Sequence, residues 1–172
     1  GNRSTISEGS PIPVGEWVVN TIASDNFGNT SIAAFNVTVI DSTLPTMQFL
    51  STPVIALGTD GQTTITPAMV ENSSYDNCGI ESVVFTPAVV DCDDIGSITM
   101  TVTVTDWNDN VRTYSNISAT VVDDQDPQIT VEADPVVVAL DANGDASIAS
   151  ADVVSLVEDN CTAADDVILS VS

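Results

Sequence analysis

The sequence predicts an all-β protein made of tandem Ig-like Greek-key β-sandwich repeats with a period of about 82 residues. Three observations carry that expectation. Apolar and polar residues alternate along short runs rich in Val, Ile and Thr, the pattern of strands with one buried and one solvated face. Gly, Pro, Asn and Asp punctuate those runs at short intervals, as turns do. The chain also repeats itself: Asp25 falls on Asp106, Asn29 on Asn110, Asp41 on Asp123, Pro45 on Pro127, Gly61 on Gly144, Ile65 on Ile148 and Cys78 on Cys161. Self-similarity at a fixed period marks an array of like units. The expected division is 1–43 as the C-terminal half of a repeat, 44–125 as a complete repeat and 126–172 as the N-terminal half of a further one, so the chain is expected to be an excerpt of something longer.

Taken in order, FNVTVI at 35–40 predicts a strand with Phe35, Val37 and Val39 inward. Asp60-Gly61 and Asn143-Gly144 favour tight hairpins, because glycine accepts a positive φ without steric cost. TPAMVE, from Thr66, predicts one helical turn with Thr66 as cap and Pro67 at its first position. ITMTVTVT at 98–105 places Ile98, Met100, Val102 and Val104 on one face and threonines on the other, and Ile117, Ala119 and Val121 continue the core in the next run. Short strands so spaced in a unit of this size predict the immunoglobulin-type sandwich. The loop DWNDN carries Asp109 where DNFGN carries Gly28, so the two loops need not share a geometry.

The composition supports a core and narrows the partners. Of 172 residues 43% are hydrophobic, which argues against disorder despite a formal net charge of -23. The only basic residues are Arg3 and Arg112, and histidine is absent. Binding nucleic acid or anionic lipid requires Lys and Arg to displace counterions, so both are excluded as expected partners, and no apolar run approaches the roughly 20 residues that span a bilayer. The start, GNRSTISEGSP, lacks the apolar stretch of a signal peptide. Twenty-five acids without a base, triad or nucleophile motif predict no enzyme.

Cys78 and Cys92 lie in the same complete repeat, and the expectation is a Cys78–Cys92 disulfide closing a loop of about 15 residues, with Cys161 paired beyond residue 172; two buried free thiols are the alternative. A disulfide implies an oxidising, extracellular or cell-surface setting. Structural zinc wants four ligands, and one repeat offers two cysteines and no histidine. Asn-x-Ser/Thr triplets stand at Asn2, Asn29, Asn36, Asn72, Asn116 and Asn160.

The stretch from Ser10 to Asp41, with its P-V-G turn, a strand leading into DNFGN and a closing VTV strand, resembles the second half of a hyalin repeat (HYR) domain. DNCG at 76–79, then Cys92, then VTVTDWNDN, resembles the cysteine-bearing variants in long tandem surface proteins of bacteria, including adhesins of gliding species. Pro11 stands where the first copy should carry the equivalent of Cys92. The resemblance implies a spacer or adhesive module: a stalk, filament or adhesin rod. Its expected partners are neighbouring repeats of the same or an adjacent chain, and an extracellular polysaccharide or a solid surface.

VVDDQDP, at the end of the complete repeat, suggests how such a rod is stiffened. Calcium takes six to eight oxygens, and Asp123, Asp124 and Asp126 supply several, with Asp106, Asn108 and Asn110 from adjacent loops completing the expected shell. The competing reading is a solvated acidic turn. Trp107, inside DWNDN, is the candidate ligand contact should the unit instead be a glycan-binding module.

Overall fold

A computed structural model describes residues 9–131 and 135–170. Asn2 and Arg3 lie outside the described residues. The described chain is mostly β. Strands β1 (Gly15–Ser24) and β2 (Thr30–Val39) form an antiparallel hairpin that pairs with no other described strand. Next come β3 (Thr46–Phe49), β4 (Val54–Ala56), β5 (Gln62–Thr64), the single turn α1 (Pro67–Val70), β6 (Glu71–Tyr75), β7 (Ile80–Thr86), β8 (Val89–Asp91), β9 (Gly96–Asp106) and β10 (Val111–Val122). The chain continues through β11 (Gln128–Val131), α2 (Ser150–Val153) and β12 (Val154–Glu158).

The central sheet has the order β4-β10-β9-β7, antiparallel except where β4 runs parallel to β10. Pairs β3–β6 and β5–β8 are separate two-stranded sheets. Their inward residues Met47 and Val90 join Ile55, Phe85, Met100, Val102, Val104, Ala119 and Val121 in one apolar cluster with Leu57, Ile65 and Val70. The alternation along β9 is what builds it: Met100, Val102 and Val104 are buried and the threonines between them are half-exposed. A bulge at Tyr114/Ile117, with Asn116 at φ 59°, resets the alternation in β10. Tyr114 is thereby kept on the core side, edge-on to Phe49 and accepting a hydrogen bond from the Met47 amide at 2.9 Å.

Four expectations change. Phe35 is exposed, because β1–β2 has no opposing sheet among the described residues. Asp60-Gly61 does form a tight turn, with the Gly61 amide donating to the Gly58 carbonyl at 2.9 Å, but β4 and β5 on either side of it pair with β10 and β8 rather than with each other. Asn143-Gly144 also turns, the Gly144 amide donating to the Asp141 carbonyl at 3.1 Å, without flanking strands. The turn at α1 forms as expected, yet the Thr66 side chain makes no capping bond.

The disulfide is the largest correction. Cys92 is bonded to Cys161, with Cα atoms 5.4 Å apart, and Cys78 is free. The reason is strand direction. Ile80, two residues after Cys78, pairs with Asp106 at one end of the sheet. Cys92 lies at the other end, its Sγ against Gly61 in the turn that follows Leu57, whose amide donates to the Val122 carbonyl. The length of β9, roughly 30 Å at about 3.3 Å per residue, separates those ends. A disulfide requires Cα atoms within about 7 Å, so Cys78 and Cys92 cannot meet.

Candidate functional site

The same geometry divides the carboxylates expected to share a calcium. Asp106, Asn108 and Asn110 occupy the β9–β10 loop at one end of the core; Asp123, Asp124 and Asp126 follow β10 at the other. The structure does not bring them together. At the far end, the Asp123 carboxylate accepts the Gln125 amide at 3.1 Å and that of Asp124 accepts the Gln125 side-chain amide at 2.9 Å. Asp124 and Asp126 are exposed, which is the geometry of a solvated turn.

That far end is held covalently instead. Beside the Cys92–Cys161 bond, the Asn160 side-chain amide donates to the Gly58 carbonyl at 3.1 Å. Asp159 accepts the Cys161 amide at 3.1 Å and the Thr162 amide at 2.6 Å, and those donors hold its carboxyl below the ordinary value. Gly61 lies between the two partners at φ +75°, where a Cβ would stand 2.8 Å from the Asn160 carbonyl oxygen and 2.9 Å from Cys92 Sγ. Only glycine fits so close an approach.

The near end gathers residues that lie scattered along the chain. Asp41, just past β2, accepts the Thr43 amide at 3.0 Å and the Asn77 side-chain amide at 3.3 Å, while its carbonyl accepts Asn110 Nδ2 at 3.4 Å. Asp76 is only 7% exposed and accepts the Cys78 amide at 2.8 Å. Asp106 is fully buried and satisfied: one oxygen accepts the Asn108 and Asn110 amides at 2.7 and 2.9 Å, the other the Asn110 side chain at 2.8 Å. The β1–β2 loop carries the same bonds from Phe27, Asn29 and the Asn29 side chain to Asp25. Asp109, at φ 64°, takes the left-handed conformation that Gly28 takes at φ 89°, so the two loops do match. Aspartate tolerates that region better than most side chains.

One carboxylate oxygen from each of Asp41 and Asp76 and the Sγ of Cys78 lie within 4.8 Å of one another. Oδ2 of both aspartates is buried without a hydrogen-bond partner. The Thr43 amide, then the neighbouring Cys78 thiol, lower the Asp41 carboxyl; closeness to Asp41 raises the thiol, helped by burial and by the charges of Asp41, Asp76 and Asp106. Burial opposes ionisation of Asp106, but its Asn110 and Asn108 donors outweigh it and leave the group below its ordinary value. The only basic residue among those described is Arg112, on β10. Trp107 is 66% exposed, with its amide donating to the Gly79 carbonyl at 3.3 Å and its ring set over Gly79, where a Cβ would lie 3.1 Å from Cδ1. It therefore covers the loop carrying Cys78 rather than standing free.

No helix among the described residues is long and apolar enough to cross a membrane. No protein-family model, curated protein or solved structure matches the chain.

Proposed function

We propose that the chain is a non-catalytic, extracellular rod segment: consecutive Ig-like β-sandwich repeats, divided at 1–43, 44–125 and 126–172, that act as a stalk, filament or adhesin spacer at the cell surface. The observation that carries the reading is the Cys92–Cys161 bond, which runs from the 44–125 unit into the segment after it. A covalent link across a joint restricts bending and carries tension, which a free-standing binding domain does not need. The recurrence of the Asp25 loop at Asp106 supports the tandem reading, as do the matching short helices α1 and α2, each leading directly into a strand. Exposed Val18, Ile22 and Ile32 on β1–β2, and Ile129, Val131 and Leu156 on β11–β12, fit half-repeats completed by neighbouring repeats of the same or an adjacent chain. A disulfide is compatible with the extracellular setting.

Small-angle scattering of the oxidised and reduced chain tests the reading. The oxidised chain is expected to scatter as a stiff elongated particle, and reduction to broaden the distribution of its longest dimension. Identical profiles in both states would remove the mechanical role of the bond. The glycan-binding alternative rests on the exposed faces of Tyr75 and Trp107. A specific glycan-array signal lost in Trp107→Ala would favour it over the spacer.

A further inference from the structure

We propose that the near joint binds one Ca²⁺, held by the carboxylates of Asp41 and Asp76, with Cys78 beside the ion but not ligating it. The site stands on its own geometry; only its consequence, a stiffened joint, rests on the rod reading.

Acidic clusters are ordinary on so acidic a chain, and what separates this one is the state of its oxygens. Asp76 is 7% exposed, and its Oδ2 makes no hydrogen bond. Asp41 Oδ2 is buried and unpartnered as well, and Asp41 offers one carboxylate oxygen to the same cluster. Leaving a buried acceptor unpaired is costly, and for an ionised one the cost is greater still. Such a group normally finds a counter-charge. Asp106, fully buried nearby, spends its oxygens on amides and so adds negative charge without offering relief. Arg112, the one basic residue described, stands on β10 opposite Val104. A dication answers both needs, supplying positive charge and a partner for each orphaned oxygen.

The donor set selects the ion. Calcium–oxygen bonds of about 2.4 Å put opposite ligands roughly 4.8 Å apart, the span within which these side chains already lie. Two carboxylates offer up to four oxygens. Asn77, whose side-chain amide faces both Asp41 Oδ1 at 3.3 Å and Cys78 Sγ at 3.4 Å, supplies a fifth when its amide is turned about, since its nitrogen and oxygen are interchangeable in such a network. Water completes a shell of six or more. Soft metals prefer thiolate, whereas the unpaired groups here are carboxylate oxygens, the ligands of a hard ion. Because Asp41 follows the last strand of one unit and Asp76 belongs to the next, the ion bridges the joint that lacks a disulfide.

The test is terbium luminescence on the full chain, with Tb³⁺ in place of Ca²⁺ and sensitised by Trp107, whose ring lies over Gly79 next to Cys78. One saturable class of sites is expected, displaced by Ca²⁺ at about 10⁻⁴–10⁻³ M, as in extracellular calcium modules. Asp76→Asn and, separately, Asp41→Asn should each weaken Ca²⁺ binding by about tenfold or more, since affinity follows ligand charge. Cys78→Ser and Asp126→Asn should leave it unchanged. Circular dichroism establishes that each variant folds, and two independent ligand variants guard against one that does not. Equal binding in wild type and both ligand variants would reduce the signal to diffuse surface charge and overturn the site. Tighter binding of Zn²⁺ than Ca²⁺, lost in Cys78→Ser, would overturn the choice of ion. Failure at this site leaves the scattering test of the disulfide-linked rod untouched.

Discussion

Replacing Cys161 with serine opens the Cys92–Cys161 bond and is expected to cost far more than the same change at Cys78. The bond closes a sequence separation of 69 residues. Treated as a restriction on the unfolded chain, a cross-link over a loop of that length contributes roughly 4 kcal/mol at 25 °C. With a urea dependence of about 2 kcal/mol per molar, the unfolding midpoint falls by about 2 M. Because all the buried apolar side chains among the described residues lie between Pro45 and Val121, the loss should appear first as release of residues 126–170, detected as early proteolysis there. Cys78→Ser removes no bond and should leave the midpoint in place. Urea unfolding followed by tryptophan fluorescence and circular dichroism gives the midpoints, and thiol titration of the native chain should find one reactive group. A non-reducing peptide map that recovers Cys78 joined to Cys92, or a midpoint that falls in Cys78→Ser and not in Cys161→Ser, would refute the strand-direction argument.

Other consequences follow from packing, close approach and charge. Ile55→Ala empties a fully buried site and should cost about 2–5 kcal/mol, while Ile32→Ala, at a position 66% exposed, should change the melting temperature little; equal effects would mean that β1–β2 is buried in solution. Gly61→Ala sets a Cβ against Asn160 and Cys92 at positive φ, so protease should release residues 126–170 faster than in the wild type while the core melt stays put. Asp141 is held below its ordinary value of 3.8 by the Asp145 and Asn143 amides. A depressed folded value stabilises above the unfolded value, and that contribution is lost as pH falls through 3.8 and below. The gap in melting temperature between wild type and Asp141→Asn should therefore narrow under acid; a gap that widens there would reverse the sign.

What is legible in the chain is what local chemistry decides. Alternation along 98–105 locates β9 and its inward residues, because a strand with one wet face leaves a period of two. The Asp25 and Asp106 loops are visible as turns, since aspartate accepting amides two and four residues on is a local bond. Long-range partners are not visible in this way. Nearness in sequence pairs Cys78 with Cys92, but β7 carries the chain away from Cys78 and the strands that follow leave Cys92 at the opposite end. The density of acids points to Asp123 to Asp126 as calcium ligands, yet density in sequence marks a solvated turn. The orphaned oxygens lie on Asp41 and Asp76, 35 residues apart in the chain, and only the fold brings them together. A usable signal is present all the same: the internal repeat that pairs Cys78 with Cys161 also pairs Asp76 with Asp159, which marks that loop as a recurring feature.

The Cys78 and Cys161 loops differ in the partner that the sequence repeat supplies, and that difference can be reversed. The repeat that places Cys161 on Cys78 places residue 11 on Cys92, and residue 11 is the exposed Pro11. If each joint is built alike, Cys78 is free for want of a partner there rather than because its loop is differently shaped. Pro11→Cys supplies that partner. Oxidised wild-type chain should titrate one thiol, from Cys78. The variant should titrate none if the new side chain reaches Cys78 and two if it does not, so the count alone separates the cases. A count of none would mean that the Cys78 loop accepts the same covalent link as the Cys161 loop. A count of two would mean that the two loops diverge in geometry, because no position equivalent to Cys92 then lies within the Cα separation of about 7 Å that a disulfide demands.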